Sequence, residues 1–179
     1  MIKKYPVFAK LLILFLIIIL IFTTINLVWF FGMKNRYNKL TGNMELVWNK
    51  AAGDYRYQKE FEGYTCVLSM PSYLCYDGFI SITSQPYRAE YDSNGELLNE
   101  NDFGLSLFIW PQMFDGFEYG VAIYNFSNNI QILIEADGSY IPTEDGNTEL
   151  DEYNAKLVDQ YKEDITNLLE AANKLWNLK

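Results

Sequence analysis

Hydrophobic and polar positions alternate in three different ways along the chain. The first regime has no alternation: Leu11 to Phe31, LLILFLIIILIFTTINLVWFF, is a 21-residue run without a charge. At 1.5 Å of rise per residue it makes a helix of about 31 Å, the thickness of a bilayer's hydrocarbon core. Its polar members are Thr23, Thr24 and Asn26. Trp29, Phe30 and Phe31 close one end and Tyr5 lies beyond the other, where amphipathic rings favour the membrane interface. A core helix of a soluble domain keeps a polar face, so the run reads as a membrane span. It exceeds the h-region of a signal peptide, and Phe31-Gly32-Met33-Lys34-Asn35-Arg36 offers no small-residue cleavage site, so a retained anchor is expected. Lys3, Lys4 and Lys10 before the span nearly balance Lys34, Arg36 and Lys39 after it. The short leading tail and the acidic carboxy-terminal part break the tie. Residues 1–10 are expected in the cytoplasm, 11–31 as a transmembrane signal anchor and 35–179 outside the cell membrane.

Residues 32–53 read as a juxtamembrane stalk. Gly42 and Gly53 bracket Asn43 to Lys50, where Met44, Val47 and Trp48 share one side of an expected short helix. From Asp54 the period becomes two. Strands are expected over 55–61, 64–70, 73–76, 79–84, 87–91, 105–110, 119–125, 130–135 and 139–141. Asp77-Gly78, Asn94-Gly95, Asp115-Gly116, Asp137-Gly138 and Asp145-Gly146 punctuate them as hairpin turns, because these dipeptides accept positive φ. Connections this short require antiparallel neighbours, hence a meander.

After Gly146 the period becomes helical: Leu150, Tyr153, Leu157, Tyr161, Ile165, Leu168, Leu169, Ala172, Leu175 and Trp176 recur at three and four. Thr148 is the expected N-cap, with Glu149, Asp151 and Glu152 complementing the helix dipole. Such a stripe needs a surface to cover. The expected fold class is therefore α+β: an N-terminal transmembrane helix, then an antiparallel β-meander sheet packed against one long C-terminal helix, with residues 54–179 as one domain. A coiled-coil use of the stripe is disfavoured because the spacing drifts from a heptad.

In a hairpin turning at Met70 and Pro71, Cys66 faces Cys75. Directly opposed residues have Cα atoms about 4.5–5.5 Å apart, close to what a disulfide needs. A Cys66–Cys75 bridge is expected outside the cytoplasm, with two buried thiols as the alternative.

Charge changes the picture further. Four of the 14 basic residues and none of the 23 acids precede Asn35, leaving 10 basic and 23 acidic groups, a net of −13, in the rest. No basic residue lies between Arg88 and Lys156, a stretch that carries fourteen acids: Glu90, Asp92, Glu96, Glu100, Asp102, Asp115, Glu118, Glu135, Asp137, Glu144, Asp145, Glu149, Asp151 and Glu152. Such a field repels nucleic acid and anionic lipid and attracts a basic protein partner. Acids on turns also keep an aromatic-rich domain soluble. In WPQMFDGFEYG, Trp110, Phe114, Phe117 and Tyr119 flank Asp115 and Glu118. Aromatic rings beside charges are the usual material of binding hot spots, so these six are the expected partner-binding residues; core packing is the alternative.

The chain has no histidine. That removes histidine-based triads, and there is no Gly-x-Ser-x-Gly elbow or phosphate-cradling glycine loop. Asp92 to Glu96 lacks the continuation of a calcium loop and reads as a turn. No catalytic, cofactor or metal residue is expected. Carboxylate chemistry such as glycoside hydrolysis remains, without two particular acids paired across a cleft. A short inside tail, one span and a small acidic outer domain give a layout similar to that of membrane-anchored immunity proteins, which neutralise a secreted antibacterial toxin. The similarity is one of layout, and no motif carries a family. The expected function is thus a non-enzymatic, membrane-anchored binder of a basic or amphipathic protein. A cell-wall glycan-binding module and a carboxylate-dependent wall hydrolase are the alternatives.

Overall fold

A computed structural model describes residues 6–50, 52–84, 93–94, 103–125, 129–143 and 147–178. The strand expected over 87–91, the turns at Asn94-Gly95 and Asp145-Gly146, and the acids Glu90, Asp92, Glu96, Glu100, Asp102, Glu144 and Asp145 lie wholly or partly outside these residues.

The apolar run forms helix α1 (Pro6–Trp29), which continues through a π-helical turn (Phe30–Lys34) into α2 (Asn35–Thr41). From Val7 to Val28 every side chain is exposed except Ala9 and Asn26, which are half-buried. The helix is long and apolar enough to cross a membrane. Thr24 Oγ1 donates to the Leu20 carbonyl and Asn26 Nδ2 to that of Phe22, both at 2.8 Å. The polar side chains thereby return their hydrogen bonds to the helix, as an apolar surrounding requires. Gly42, at φ 44°, ends α2.

Among the described residues the sheet has seven antiparallel strands in sequence order: β1 (Glu45–Asn49), β2 (Asp54–Phe61), β3 (Tyr64–Ser69), β4 (Phe79–Thr83), β5 (Gly104–Pro111), β6 (Phe117–Tyr124) and β7 (Asn129–Ile134). Ile134 also bridges to Tyr140, all that forms of the strand expected over 139–141. Period-two patterning sends Leu68, Ile80, Ile82, Leu107, Ile109, Val121, Ile123, Ile132 and Ile134 to one face, where they are buried in a single core.

Helices α3 (Thr148–Gln160) and α4 (Lys162–Trp176) complete the structure. The N-cap is Asn147, whose side chain accepts from the Leu150 N–H at 3.2 Å, one residue before the expected Thr148. The expected single long helix is split at Tyr161, φ −102°. In α4, Ile165, Leu168, Leu169, Ala171, Ala172 and Trp176 are buried against the sheet. In α3 only Asn154 and Val158 are buried. Asp151 holds α3 in place by accepting from the Tyr140 hydroxyl and from the Thr143 N–H and hydroxyl. These bonds keep its carboxyl below its ordinary pKa.

Three further expectations change. The helix expected over 43–50 is strand β1, paired from Glu45↔Gln58 to Asn49↔Asp54, so Val47 and Trp48 point to opposite faces. Its turn is closed by the Asn49 carbonyl, which accepts from Gly53 N at 2.8 Å. Residues 73–76 are not a strand: β3 pairs with β4, which sets Ile82, not Cys75, opposite Cys66. The expected Cys66–Cys75 bridge is accordingly absent; both cysteines are free, Cys66 buried and Cys75 exposed in the loop over 70–78. Trp29 is not a lipid-facing belt residue, being only 7% exposed in the domain core.

Candidate binding face

Alternation gives the sheet a second face, opposite to α4, and its chemistry differs from that of the core. Phe79 and Ser81 alternate with Ile80 and Ile82, and Phe108 and Trp110 alternate with Leu107 and Ile109, so these aromatic rings take the phase the aliphatic core leaves free. Phe79 and Phe108 have ring centroids 5.6 Å apart, and Phe108 and Trp110 stack at 6.0 Å with planes 14° apart. The Arg56 guanidinium lies 5.4 Å from the Phe79 centroid and is held by Asp54 at 2.9 Å. Gly120 makes room at the other end of the row: a Cβ there would stand 2.9 Å from a ring carbon of Trp110. Beside Trp110 an open recess of about 360 Å³ is lined by Phe79, Phe108, Trp110, Gly120, Val121, Gln131, Ile132 and Leu133. Leu133 is 53% exposed. Thr83 and Ser106 hydroxyls share a 2.8 Å hydrogen bond on the same face.

This surface can stack on flat or apolar groups, with a cation at one end and an amide, Gln131, at the other. Among the described residues no three histidine, cysteine, aspartate or glutamate side chains converge as a metal would need.

The six expected partner-binding residues are dispersed around this end of the sheet. Trp110 and Glu118 are register partners, and Trp110 belongs to the aromatic row. Tyr119 belongs to the opposite face, paired with Ile109 and buried, which raises its phenol above its ordinary pKa. Phe117 lies 4.9 Å beneath the Arg36 guanidinium, which also donates to the carbonyls of Gln112 and Gly116. Phe114 and Asp115 form the hairpin tip, where the Phe114 N–H donates to the Gly32 carbonyl at 3.0 Å. Two of the six, Phe114 and Phe117, are therefore in contact with the helical segment that follows α1. The residues missed from the sequence are Arg56, Phe79, Phe108, Gly120 and Leu133; the signal was the aromatic residue in the off-phase of each aliphatic strand.

Neither a protein-family model, nor a curated protein, nor a solved structure matches this chain.

Proposed function

We propose that the chain is a single-pass membrane protein whose domain lies outside the cytoplasm and acts as a non-enzymatic module for capturing another protein. The observation that carries this reading is the row Arg56–Phe79–Phe108–Trp110, with its adjoining recess, on the sheet face opposite α4. A stacked row ending in a tryptophan beside a pocket has the composition of a binding hot spot. The acidic excess of the domain favours a basic or amphipathic partner by steering its approach. In its sharpest form the reading is immunity: neutralisation of a secreted antibacterial toxin at the cell surface.

The test is capture by the detergent-solubilised full chain from the secreted proteins of the same and neighbouring strains. One protein retained by the wild type and released by Trp110→Ala, with the variant's circular dichroism unchanged, is the expected result. Retention equal in both would remove the aromatic row from the interface.

The near-parallel Phe108 and Trp110 rings favour one second reading, a platform for cell-wall sugars. Binding to purified wall material that ignores salt would support it, whereas capture of a basic protein weakens as salt rises.

A further inference from the structure

We infer that the end of the sheet from which α1 emerges is seated in the headgroup layer of the bilayer that α1 spans. The inference rests on the reading of α1 as a membrane span, and adds to it a contact between the folded domain and lipid.

Register fixes which end this is. The pairs Asn49↔Asp54, Ser69↔Phe79 and Pro111↔Phe117 put the β1–β2 turn, the β3–β4 loop and the β5–β6 hairpin at one end of the sheet. Two of these connections bind the helix. The Tyr73 hydroxyl meets the Asn26 side chain, Trp29 Nε1 donates to the Cys75 carbonyl at 3.2 Å, and the Phe114 N–H donates to Gly32.

The same end carries the domain's exposed rings. Among the described residues beyond the helix, Trp48, Tyr55, Tyr73, Tyr76 and Phe114 are 49–63% exposed; Phe103 and Tyr153 are the exposed aromatic residues that lie elsewhere. Trp48 and Tyr55 form an edge-to-face pair at 4.9 Å beside the β1–β2 turn. Tyrosine and tryptophan favour the membrane–water boundary because their bodies are apolar and their tips polar. Three of the nearby acids are engaged internally, Asp54 with Arg56, Asp77 with the Ser72 N–H and hydroxyl, and Asp115 with the Gly116 N–H, while Glu118 and Glu135 are exposed. Lys34, 6.0 Å from the Trp29 ring centroid, stands one helical turn above the boundary, at phosphate depth.

The level agrees. Counted from Leu11, where the charge-free run begins, a hydrocarbon core of about 30 Å is crossed by about 20 residues, which places its outer edge at Phe30. The helix residues that the sheet end touches, Asn26, Trp29 and Gly32, bracket that level. The domain therefore cannot stand clear of the lipid on a stalk, and the rings of three connections surround the exit of the helix.

Cys75 in the β3–β4 loop is exposed while Cys66 is buried, so the native full chain accepts a thiol-directed fluorophore at this end of the sheet. A second preparation, Glu62→Cys in a Cys75→Ser background, carries it at the opposite end, in the β2–β3 turn. In lipid vesicles, nitroxide lipids labelled near the headgroup should quench the fluorophore at position 75 and spare the one at 62. Aqueous iodide should quench position 75 about threefold less than 62, as expected for a group within the interfacial layer. Equal iodide quenching at both sites, in protein that floats with the vesicles, would overturn the inference and leave the span intact. Failure to float would overturn both. Shielding of position 75 that disappears as protein is diluted in lipid would assign this end to a contact between copies of the chain and overturn the lipid seat.

Discussion

The indole of Trp110 lies so close over Gly120 that a single added carbon at position 120 would stand 2.9 Å from it and 3.2 Å from the Ile132 carbonyl. The two residues lie near each other across the β5–β6 register, so the ring's position is set by the lack of a side chain on the neighbouring strand.

Gly120→Ala is expected to push the indole out over the recess. Overpacking of this kind costs about 1–3 kcal/mol, to be read from the shift in a urea unfolding curve. Partner capture should fall with it, because the row loses its terminal ring while Phe79 and Phe108 stay. Unchanged unfolding together with unchanged capture would show that Trp110 does not depend on Gly120.

Arg36 bridges helix and sheet by donating to Gln112 and Gly116 and by lying over Phe117. Arg36→Ala should free the β5–β6 hairpin and speed amide exchange at residues 112–117 by about tenfold, the loss expected for a charged donor bound to two carbonyls. Arg36→Lys should recover part of the protection, since one ammonium cannot fork to both carbonyls as a guanidinium does. Equal exchange in wild type and Arg36→Ala would make the contact dispensable.

The two thiols should behave differently. At neutral pH an alkylating reagent is expected to modify Cys75 in the native protein and Cys66 only after unfolding, as mass spectrometry would count. Burial pushes the Cys66 thiol from 9.0 up to about 12. The folded state then holds its proton where the unfolded chain has lost it, so stability is fully present below pH 9 and declines as pH rises from 9 toward 12. Cys66→Ala should weaken that alkaline loss while also leaving a small cavity. Native alkylation of both thiols at equal rates would contradict the burial.

What the residues revealed in advance depended on how far each pattern reached. The charge-free run from Leu11 and the alternation at Ile130, Ile132 and Ile134 are long enough to identify a spanning-length helix and an antiparallel meander without any tertiary knowledge. Glu45–Asn49 carries no strand signal because its residues are exposed or half-buried on both faces, leaving the helical spacing of Met44, Val47 and Trp48 as the stronger local pattern. The Cys66–Cys75 pairing assumed that a strand resumes directly after Pro71, whereas β3 waits nine residues for its partner at Phe79. The burial of Trp29 inside the domain is likewise a tertiary effect. Of the aromatic face, Trp110 stands out from its neighbours in sequence, but its row is assembled from two strands and from Arg56 on a third, a combination visible only once register is known.

The π-helical turn at Phe30–Lys34 remains hydrogen-bonded, with the Asn35 N–H reaching the Phe30 carbonyl, so no unwound hinge separates α1 from α2. If α1 spans a bilayer, the domain follows the tilt of the helix instead of swinging on an unwound tether. A ligand arriving from solution must conform to one presented tilt, whereas a floppy tether would have offered every angle.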